Sequence, residues 1–368
     1  MNTTLDKLKP NAILGKINNF IKNEFTHVDF NQDYSCFVYS YNNEFSIWDM
    51  QTLQVRFMRM FKKSIGKVTV LYKTNIVLIT GTTDVNADPL LNPNSLYVWD
   101  DNNPGFIAEI CFREPILNMK ILREYVLIVL QDSVSLYEFN NLSKEMEVFE
   151  TYPNSRGICA VTDNKINNIQ PTSIMAFLGK NIGEVFILNI HTIGSVPTTT
   201  VTTIKAHQTE IVCIALSRDG GLISTASEKG TLIRVFNAMT GDLVYEFRRG
   251  TLMATVNNLV FNHDATLLCA TSEKGTIHIY KLTPDNQNKY YLKTIGFSGL
   301  DYSDYRIYLP DHDAKFMVAF DGVTNDLVVV SYSGVCYKYK FMNEVLDINQ
   351  PLEYQLSVTT RLTPGNHT

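Results

Sequence analysis

Short runs of apolar residues alternate with brief polar interruptions along most of this chain. The runs are rich in β-branched and aromatic residues, and Asn, Asp, Gly and Pro separate them, which is typical of strands joined by turns. Only Leu5–Phe25 has a pattern that favours an amphipathic helix. Strands are predicted over Cys36–Tyr41, Phe45–Trp48, Val68–Tyr72, Ile76–Thr80, Leu96–Trp99, Tyr125–Leu130, Val134–Phe139, Met175–Leu178, Glu184–Leu188, Val212–Leu216, Leu222–Ala226, Leu232–Phe236, Leu259–Phe261, Leu267–Ala270, Thr276–Tyr280, Leu327–Tyr332 and Val335–Tyr339. The sequence therefore predicts an all-β protein.

An internal repeat gives the architecture. Ile211–Phe236 aligns with Val256–Tyr280, and the pentapeptide Ser-Glu-Lys-Gly-Thr occurs in both copies, at Ser227–Thr231 and Ser272–Thr276. The two pentapeptides are 45 positions apart. This period matches one four-stranded blade of a WD-repeat propeller, which takes ~40–45 residues. His27–Asp49 is a degenerate copy that ends in Trp-Asp.

About seven such units follow one another, and seven blades close a ring well. The units begin near Phe25, Val68, Ile116, Gly157, Ile211, Val256 and Phe316. Two long inserts, Asp84–Asn94 and Thr283–Asp304, fall between strands of blades two and six. We therefore predict a seven-bladed β-propeller of the WD-repeat type over residues 25–360. An N-terminal extension (residues 1–24) and a flexible C-terminal tail (residues 361–368) would flank it.

Charge and hydropathy limit the possible partners. The chain of 368 residues is 45% hydrophobic and 19% charged, as in soluble globular proteins, and its formal net charge is −5. A protein whose whole surface binds nucleic acid would be basic, so no nucleic-acid partner is expected. Met1–Lys22 lacks the apolar stretch of a signal peptide, and no window reaches the ~18 apolar residues of a transmembrane helix. Any membrane contact is expected to be peripheral.

The six cysteines are scattered and form no C-x-x-C pair, so we expect a reducing compartment and no metal site. The motifs G-x-S-x-G and H-E-x-x-H and a Walker-type loop do not occur in the sequence. We therefore expect neither catalytic residues nor a cofactor.

Two adjacent arginines, Arg248 and Arg249, end the outer strand of blade five. Because neighbouring side chains of a strand point to opposite faces, the two guanidinium groups are expected to diverge, one toward blade five and one toward blade six. Each would then meet one copy of the repeated pentapeptide. Guanidinium forks and hydroxyls suit phosphate. The first expected pocket contains His207, Thr225, Ser227, Thr231, Arg234 and Arg248, and the second contains Arg249, Ser272, Lys274, Thr276 and His278.

The segment from about residue 205 to 282 resembles the PROPPIN family of phosphoinositide-binding propellers, called WIPI proteins in animals. Phe247-Arg248-Arg249-Gly250 matches the family's signature tetrapeptide. The accompanying motifs are Ala206-His207, Thr225-Ala226-Ser227, Gly230-Thr231-Leu232-Ile233-Arg234-Val235-Phe236 and Thr276-Ile277-His278-Ile279-Tyr280. The resemblance implies two binding sites for phosphatidylinositol 3-phosphate and phosphatidylinositol 3,5-bisphosphate. It also implies a monomer that recruits autophagy or trafficking proteins to endosomal, vacuolar, lysosomal or autophagosome-precursor membranes.

The family also inserts a loop of blade six into the bilayer, and the corresponding stretch of this chain is Leu282–Asp304. Its apolar and aromatic content suits a membrane interface. The residues expected to insert are Tyr290, Tyr291, Leu292, Ile295, Phe297 and Leu300. The same side chains would otherwise pack on blade seven.

Simpler interpretations of these residues stay open at this level. A surface Arg-Arg pair is usually solvated, and the hydroxyls of the repeat are also turn residues. His207 could join a structural hydrogen-bond network, and His278 could be an outward-facing strand residue. The competing function is a WD-repeat scaffold that binds proteins and no lipid.

Overall fold

Antiparallel hairpins follow one another through the computed structural model of the chain. It describes residues 26–84, 91–164, 172–193, 196–284, 303–309, 315–342, 345–348 and 351–355. The predicted N-terminal extension, with its possible helix, and the predicted C-terminal tail lie outside the described residues.

The first four blades are four-stranded sheets in which the strands pair in chain order. Blade one contains β1 (His27–Phe30), β2 (Cys36–Tyr41), β3 (Glu44–Asp49) and β4 (Val55–Met60). Blade two contains β5 (Ile65–Val70), β6 (Ile76–Gly81), β7 (Ser95–Asp100) and β8 (Gly105–Cys111). Blade three contains β9 (Asn118–Ile121), β10 (Tyr125–Val129), β11 (Ser133–Glu138), a 3₁₀ turn (Phe139–Asn141) and β12 (Glu145–Glu150). Blade four contains β13 (Cys159–Asn164), β14 (Thr172–Leu178), β15 (Glu184–Ile193) and β16 (Val196–Lys205).

The remaining three blades have the same layout. Blade five contains β17 (Ile211–Leu216), β18 (Leu222–Ser227), β19 (Leu232–Asn237) and β20 (Leu243–Arg248). Blade six contains β21 (Val256–Phe261), β22 (Leu267–Ser272), β23 (Thr276–Lys281) and β24 (Tyr305–Tyr308). Blade seven contains β25 (Phe316–Phe320), β26 (Leu327–Ser331), β27 (Val335–Tyr339), a small hairpin of β28 (Phe341–Met342) and β29 (Val345–Leu346), and β30 (Leu352–Gln355).

The seven sheets form a closed ring. The first strands of neighbouring blades lie side by side, as β13, β17, β21 and β25 do, and β25 in turn contacts β1. The predicted all-β, seven-bladed propeller is confirmed. Both inserts also lie where the sequence placed them, one between β6 and β7 and the other between β23 and β24. Within the described ranges, no helix has the length and apolarity needed to cross a membrane.

The outermost strands β4, β8, β12 and β16 were absent from the predicted set. They lie at the rim, where one face is exposed, and so they carry fewer apolar residues than the strands inside them. The strand β12 reads Glu-Met-Glu-Val-Phe-Glu, and every position of β8 is exposed or half-buried. Their strand character depends on pairing with β11 and β7, which a local pattern does not show.

Apolar side chains between neighbouring blades form the core. Between blades five and six, the Phe247 ring stacks on Tyr280 with 4.7 Å between ring centroids, and both rings are fully buried. Between blades seven and one, the Tyr39 hydroxyl donates to the Ser331 carbonyl over 3.0 Å. Each blade therefore needs both neighbours to bury its two faces.

Glycines of the repeated pentapeptide form the tight turns that precede β19 and β23. Gly230 has φ +58° and Gly275 has φ +69°, in the left-handed region that favours glycine. A Cβ on Gly230 would lie 1.9 Å from the Ala254 carbonyl oxygen. The turn therefore excludes side chains here, and it brings the hydroxyl-bearing ends of the repeat to the same rim as Arg248 and Arg249.

Candidate functional site

The last residues of β20 point alternately to two neighbouring blades. Phe247 packs on Tyr280 of blade six. The Arg249 amide donates to the Thr231 carbonyl over 2.9 Å and so extends the strand pairing by one residue. Because side chains alternate along a strand, Arg249 lies on the Phe247 face and Arg248 on the opposite face, toward blade four. The two guanidinium groups therefore enter different clefts.

The cleft between blades four and five contains a row of polar side chains. Thr225 is in register with Arg234, and Arg234 with Glu246, so the three lie side by side across the sheet. His207 Nε2 lies 2.9 Å from Thr225 Oγ1. The Thr225 side chain is fully buried, and Ser227, two residues along β18, is also buried. Four of the six residues predicted for the first pocket, His207, Thr225, Ser227 and Arg234, are thus brought together on one face.

The electrostatics of this cleft favour a neutral His207. Burial, and secondly the nearby positive charge of Arg234, lower the pKa of His207 to about 4. An imidazole that is neutral at pH 7 can donate one hydrogen bond and accept another. An anion in the cleft would stabilise the protonated ring and raise this pKa.

Arg234 already has partners. Its Nε donates to Glu246 Oε2 over 2.8 Å, and its Nη1 donates to the Ala206 carbonyl over 2.7 Å. Glu246 was missing from the predicted pocket, although the pairing of β19 with β20 makes it the direct neighbour of Arg234. A phosphate in this cleft would therefore share Arg234 with a carboxylate.

Arg248 extends the same face by one more position, since it pairs in register with Leu232. The side chain is half-buried. Its Nε is buried and has no hydrogen-bond partner among the residues that the structure describes. A buried guanidinium donor without a partner is costly, and an anion would satisfy it.

Arg249 is in a different state, because the chain itself binds its guanidinium. The side chain is 7% exposed. Its Nε donates to the Gly230 carbonyl and its Nη2 to the Leu252 carbonyl, each over 2.5 Å. Burial lowers the pKa of Arg249, Glu273 and Tyr280 raise it, and Arg306 lowers it. Arg249 thus ties two turns together and adds a positive charge to the cleft between blades five and six.

His278 lies in this second cleft. Its ring is buried, and Nδ1 lies 3.2 Å from Ser303 Oγ. Burial lowers the pKa of His278 to about 4, and the positive charges of Arg306 and Arg249 act in the same direction. Arg306 pairs in register with His278. Arg306 was missed from the sequence because the long insert of blade six separates it from the repeat that identified the other residues.

The other predicted residues of the second pocket differ in how far they are exposed to solvent. Ser272 is fully buried, and its Oγ has no partner in the described part of the chain. Thr276 is half-buried, whereas Lys274 is exposed in the turn. Thr231, which the sequence assigned to the first pocket, has its backbone beside Arg249 instead of Arg248. The residues predicted for the inserting loop, 290–300, lie outside the described residues.

The model of the PROPPIN family matches residues 37–319 of this chain. Autophagy-related protein 18e of Arabidopsis thaliana is 30% identical over 339 residues, covering 85% of this chain and 83% of that protein. Autophagy-related protein 18 of Dictyostelium discoideum is 30% identical over 262 residues, covering 71% of this chain and 66% of that protein.

Solved structures show the same architecture. Kluyveromyces lactis Hsv2 superposes with a TM-score of 0.72 at 22% identity, over 91% of this chain and 100% of that one. A chain from the complex of KlAtg21 with the coiled coil of AgAtg16 superposes with a TM-score of 0.68 at 24% identity, over 91% and 100%. At these identities the two likenesses concern the fold.

Proposed function

Since this chain belongs to the PROPPIN family of β-propellers, we propose that it binds phosphoinositide headgroups at two sites, one on each side of the Arg248–Arg249 pair. The family and the autophagy-related relatives support a phosphoinositide-binding function linked to autophagy. The ligands are phosphatidylinositol 3-phosphate and phosphatidylinositol 3,5-bisphosphate.

The divergence of the two arginines is the observation that carries this proposal. Arg248 brings a buried guanidinium nitrogen without a partner to the cleft between blades four and five. Arg249 joins His278 and Arg306 in the cleft between blades five and six, where burial and then the two neighbouring cations lower the pKa of His278. Such a cluster repels protons and attracts a phosphate dianion, which accepts charge-assisted hydrogen bonds from guanidinium groups and hydroxyls.

The first site comprises His207, Thr225, Ser227, Arg234 and Arg248, whereas Thr231, which the sequence assigned to it, lies beside Arg249. The second comprises Arg249, Ser272, Lys274, Thr276 and His278, to which the register of β23 with β24 adds Arg306. Hydroxyls of the repeated segment provide neutral donors in both sites, and the arginines provide the charge. The duplicated blade segment thus explains why two similar sites occur side by side.

Vesicle flotation tests the sites. The double substitution Arg248→Thr plus Arg249→Thr is expected to reduce binding to vesicles containing phosphatidylinositol 3-phosphate to the level seen without that lipid. Arg113→Thr, which removes an exposed arginine after the outer strand of blade two, is the matched control and should bind like the wild type. Undiminished binding by the double variant would refute both sites.

Folding has to be checked for the Arg249 substitution, because Arg249 also holds two backbone carbonyls. Thermal unfolding of each single variant provides this check. Arg248→Thr removes a guanidinium whose Nε has no partner in the described structure, so it tests the first site with little effect on stability.

We further propose that the chain is a non-enzymatic effector that recruits autophagy or trafficking proteins to endosomal, vacuolar, lysosomal or autophagosome-precursor membranes. The solved complex of KlAtg21 with the coiled coil of AgAtg16 supports a protein partner by analogy. Exposed apolar residues on the outer strand of blade two, Phe106 and Ile107, offer a contact surface away from the lipid sites. A phosphatase assay on soluble headgroups tests the absence of catalysis.

A further inference from the structure

We propose that the loop Gly250–Met253, directly after the arginine pair, inserts the side chains of Leu252 and Met253 into the lipid bilayer. This inference rests on the proposed headgroup binding and adds a membrane-inserting element made by blade five. Leu252 is 71% exposed and Met253 is 65% exposed. Two adjacent large apolar residues projecting into water indicate a surface that another apolar phase covers.

The loop is held in place by the proposed headgroup site. Arg249 Nη2 donates to the Leu252 carbonyl, and Arg249 Nε donates to the Gly230 carbonyl. The next residue, Ala254, is buried, so the loop returns to the core immediately after Met253. The backbone is therefore fixed while the two apolar side chains stay outside. A pre-formed loop loses little conformational entropy when it enters a membrane.

A third exposed side chain lies on the blade-six side of the same cleft. Tyr308 is 63% exposed and pairs in register with Thr276 at the rim end of β23. Arg306, two residues earlier on β24, lies on the same face as Tyr308 because side chains alternate. Apolar or aromatic groups thus occur on both sides of the cleft that contains Arg249, Arg306 and His278.

This arrangement identifies a lipid bilayer as the occupant. The surface combines cationic groups with projecting aliphatic side chains and an exposed tyrosine, and the bilayer interface presents anionic headgroups directly above hydrocarbon. Tyrosine is enriched at that interface, where its ring is partly in hydrocarbon and its hydroxyl stays wet. Headgroup contacts alone give weak, reversible attachment, and a second anchor is generally needed for stable residence on a membrane.

Matched serine substitutions test the inference. The double variant Leu252→Ser plus Met253→Ser is compared with Met60→Ser, which changes a methionine that is 62% exposed at the end of β4, the outer strand of blade one. We expect the double variant to partition about tenfold less onto phosphatidylcholine vesicles containing phosphatidylinositol 3-phosphate. Met60→Ser should partition like the wild type.

A soluble headgroup separates this inference from the proposed function. Calorimetry with inositol 1,3-bisphosphate should give the same affinity for the double variant as for the wild type, because the loop side chains do not contact the headgroup. Normal headgroup affinity together with unchanged vesicle binding would overturn the inference alone. If the wild-type chain bound no headgroup, the proposed function itself would fail.

A direct reporter of insertion keeps the inference testable if the serine variant folds poorly. Tryptophan in place of Leu252 should be quenched by lipids with brominated acyl chains, whereas tryptophan in place of Met60 should not. The two native tryptophans, Trp48 and Trp99, lie in blades one and two and give a constant background. Equal quenching of the two variants would overturn the inference.

Discussion

Two histidines at the residue scale show how the same change in pKa arises in both clefts. Burial is the main cause of the low pKa of His207 and of His278, and a neighbouring arginine is the second cause in each case. Arg234 has this role in the first cleft and Arg306 in the second. The sequence did not show that Arg234 and Arg306 have equivalent roles, because Arg234 is within the repeat whereas Arg306 follows the insert. Both imidazoles are therefore neutral hydrogen-bonding groups at pH 7 when no anion is bound.

The pKa of His278 differs between the unfolded and the folded chain, and stability therefore depends on pH. His278 titrates near 6.5 in the unfolded chain and near 4 in the folded one. Its contribution is fully present above pH 6.5 and is lost as the pH falls toward 4, because only the unfolded chain takes up the proton. Acidification from pH 7 to pH 5 should lower the free energy of unfolding of both chains. For His278→Asn this decrease should be smaller than for the wild type by on the order of 1–2 kcal/mol.

Urea unfolding at both pH values measures this effect. Between pH 7 and pH 9 the two chains should show parallel stabilities, which serves as an internal control. A wild type and a variant with identical losses on acidification would contradict the assignment.

At the element scale, β20 and the turn before β19 decide what the signature tetrapeptide does. Phe247 fixes the strand against blade six, and the alternation of side chains then separates Arg248 from Arg249. Gly230 lets the turn approach the Ala254 carbonyl, and its own carbonyl accepts from Arg249. Gly250, by contrast, would have open space around a Cβ. Packing therefore does not require glycine at the fourth position of the tetrapeptide.

These two glycines make a matched pair for substitution. Gly230→Ala should lower the free energy of unfolding by about 2–4 kcal/mol, since it combines a positive φ with a close contact to backbone. Gly250→Ala should change it by less than about 0.5 kcal/mol. Thermal or denaturant unfolding compares the two. Similar destabilisation by both substitutions would contradict the open space around Gly250.

At the scale of the whole molecule, the two proposed headgroup sites lie in neighbouring clefts of the ring. The residues named for the second site come from blades five and six, whereas those of the first come from blade five and the segment just before it. The ring closes between blades seven and one, where the Tyr39 hydroxyl donates to the Ser331 carbonyl. Two sites on one folded chain can bind two lipids of the same membrane, and the second contact then benefits from a high effective concentration.

Stoichiometry follows from this geometry. Calorimetry with inositol 1,3-bisphosphate should give two headgroups for each wild-type chain and one for Arg248→Thr. On vesicles the single variant should lose roughly 10²-fold in apparent affinity, because the bivalent attachment is lost. Attachment should also weaken as salt increases, since the contacts are ionic. A wild-type stoichiometry of one would favour a single shared pocket.

The sequence by itself determined that the repeating unit is a four-stranded blade, how many blades there are, and that the two arginines point in opposite directions. These properties depend on local periods: two residues for a strand, and about 45 residues for the repeated unit. Only the tertiary structure decided the partners. Glu246 on Arg234, Arg306 beside His278, and the two carbonyls on Arg249 come from strand register, an insert and turns that bring distant residues together. A local period cannot encode such contacts, because they depend on which distant residues the strand pairing and the turns bring together.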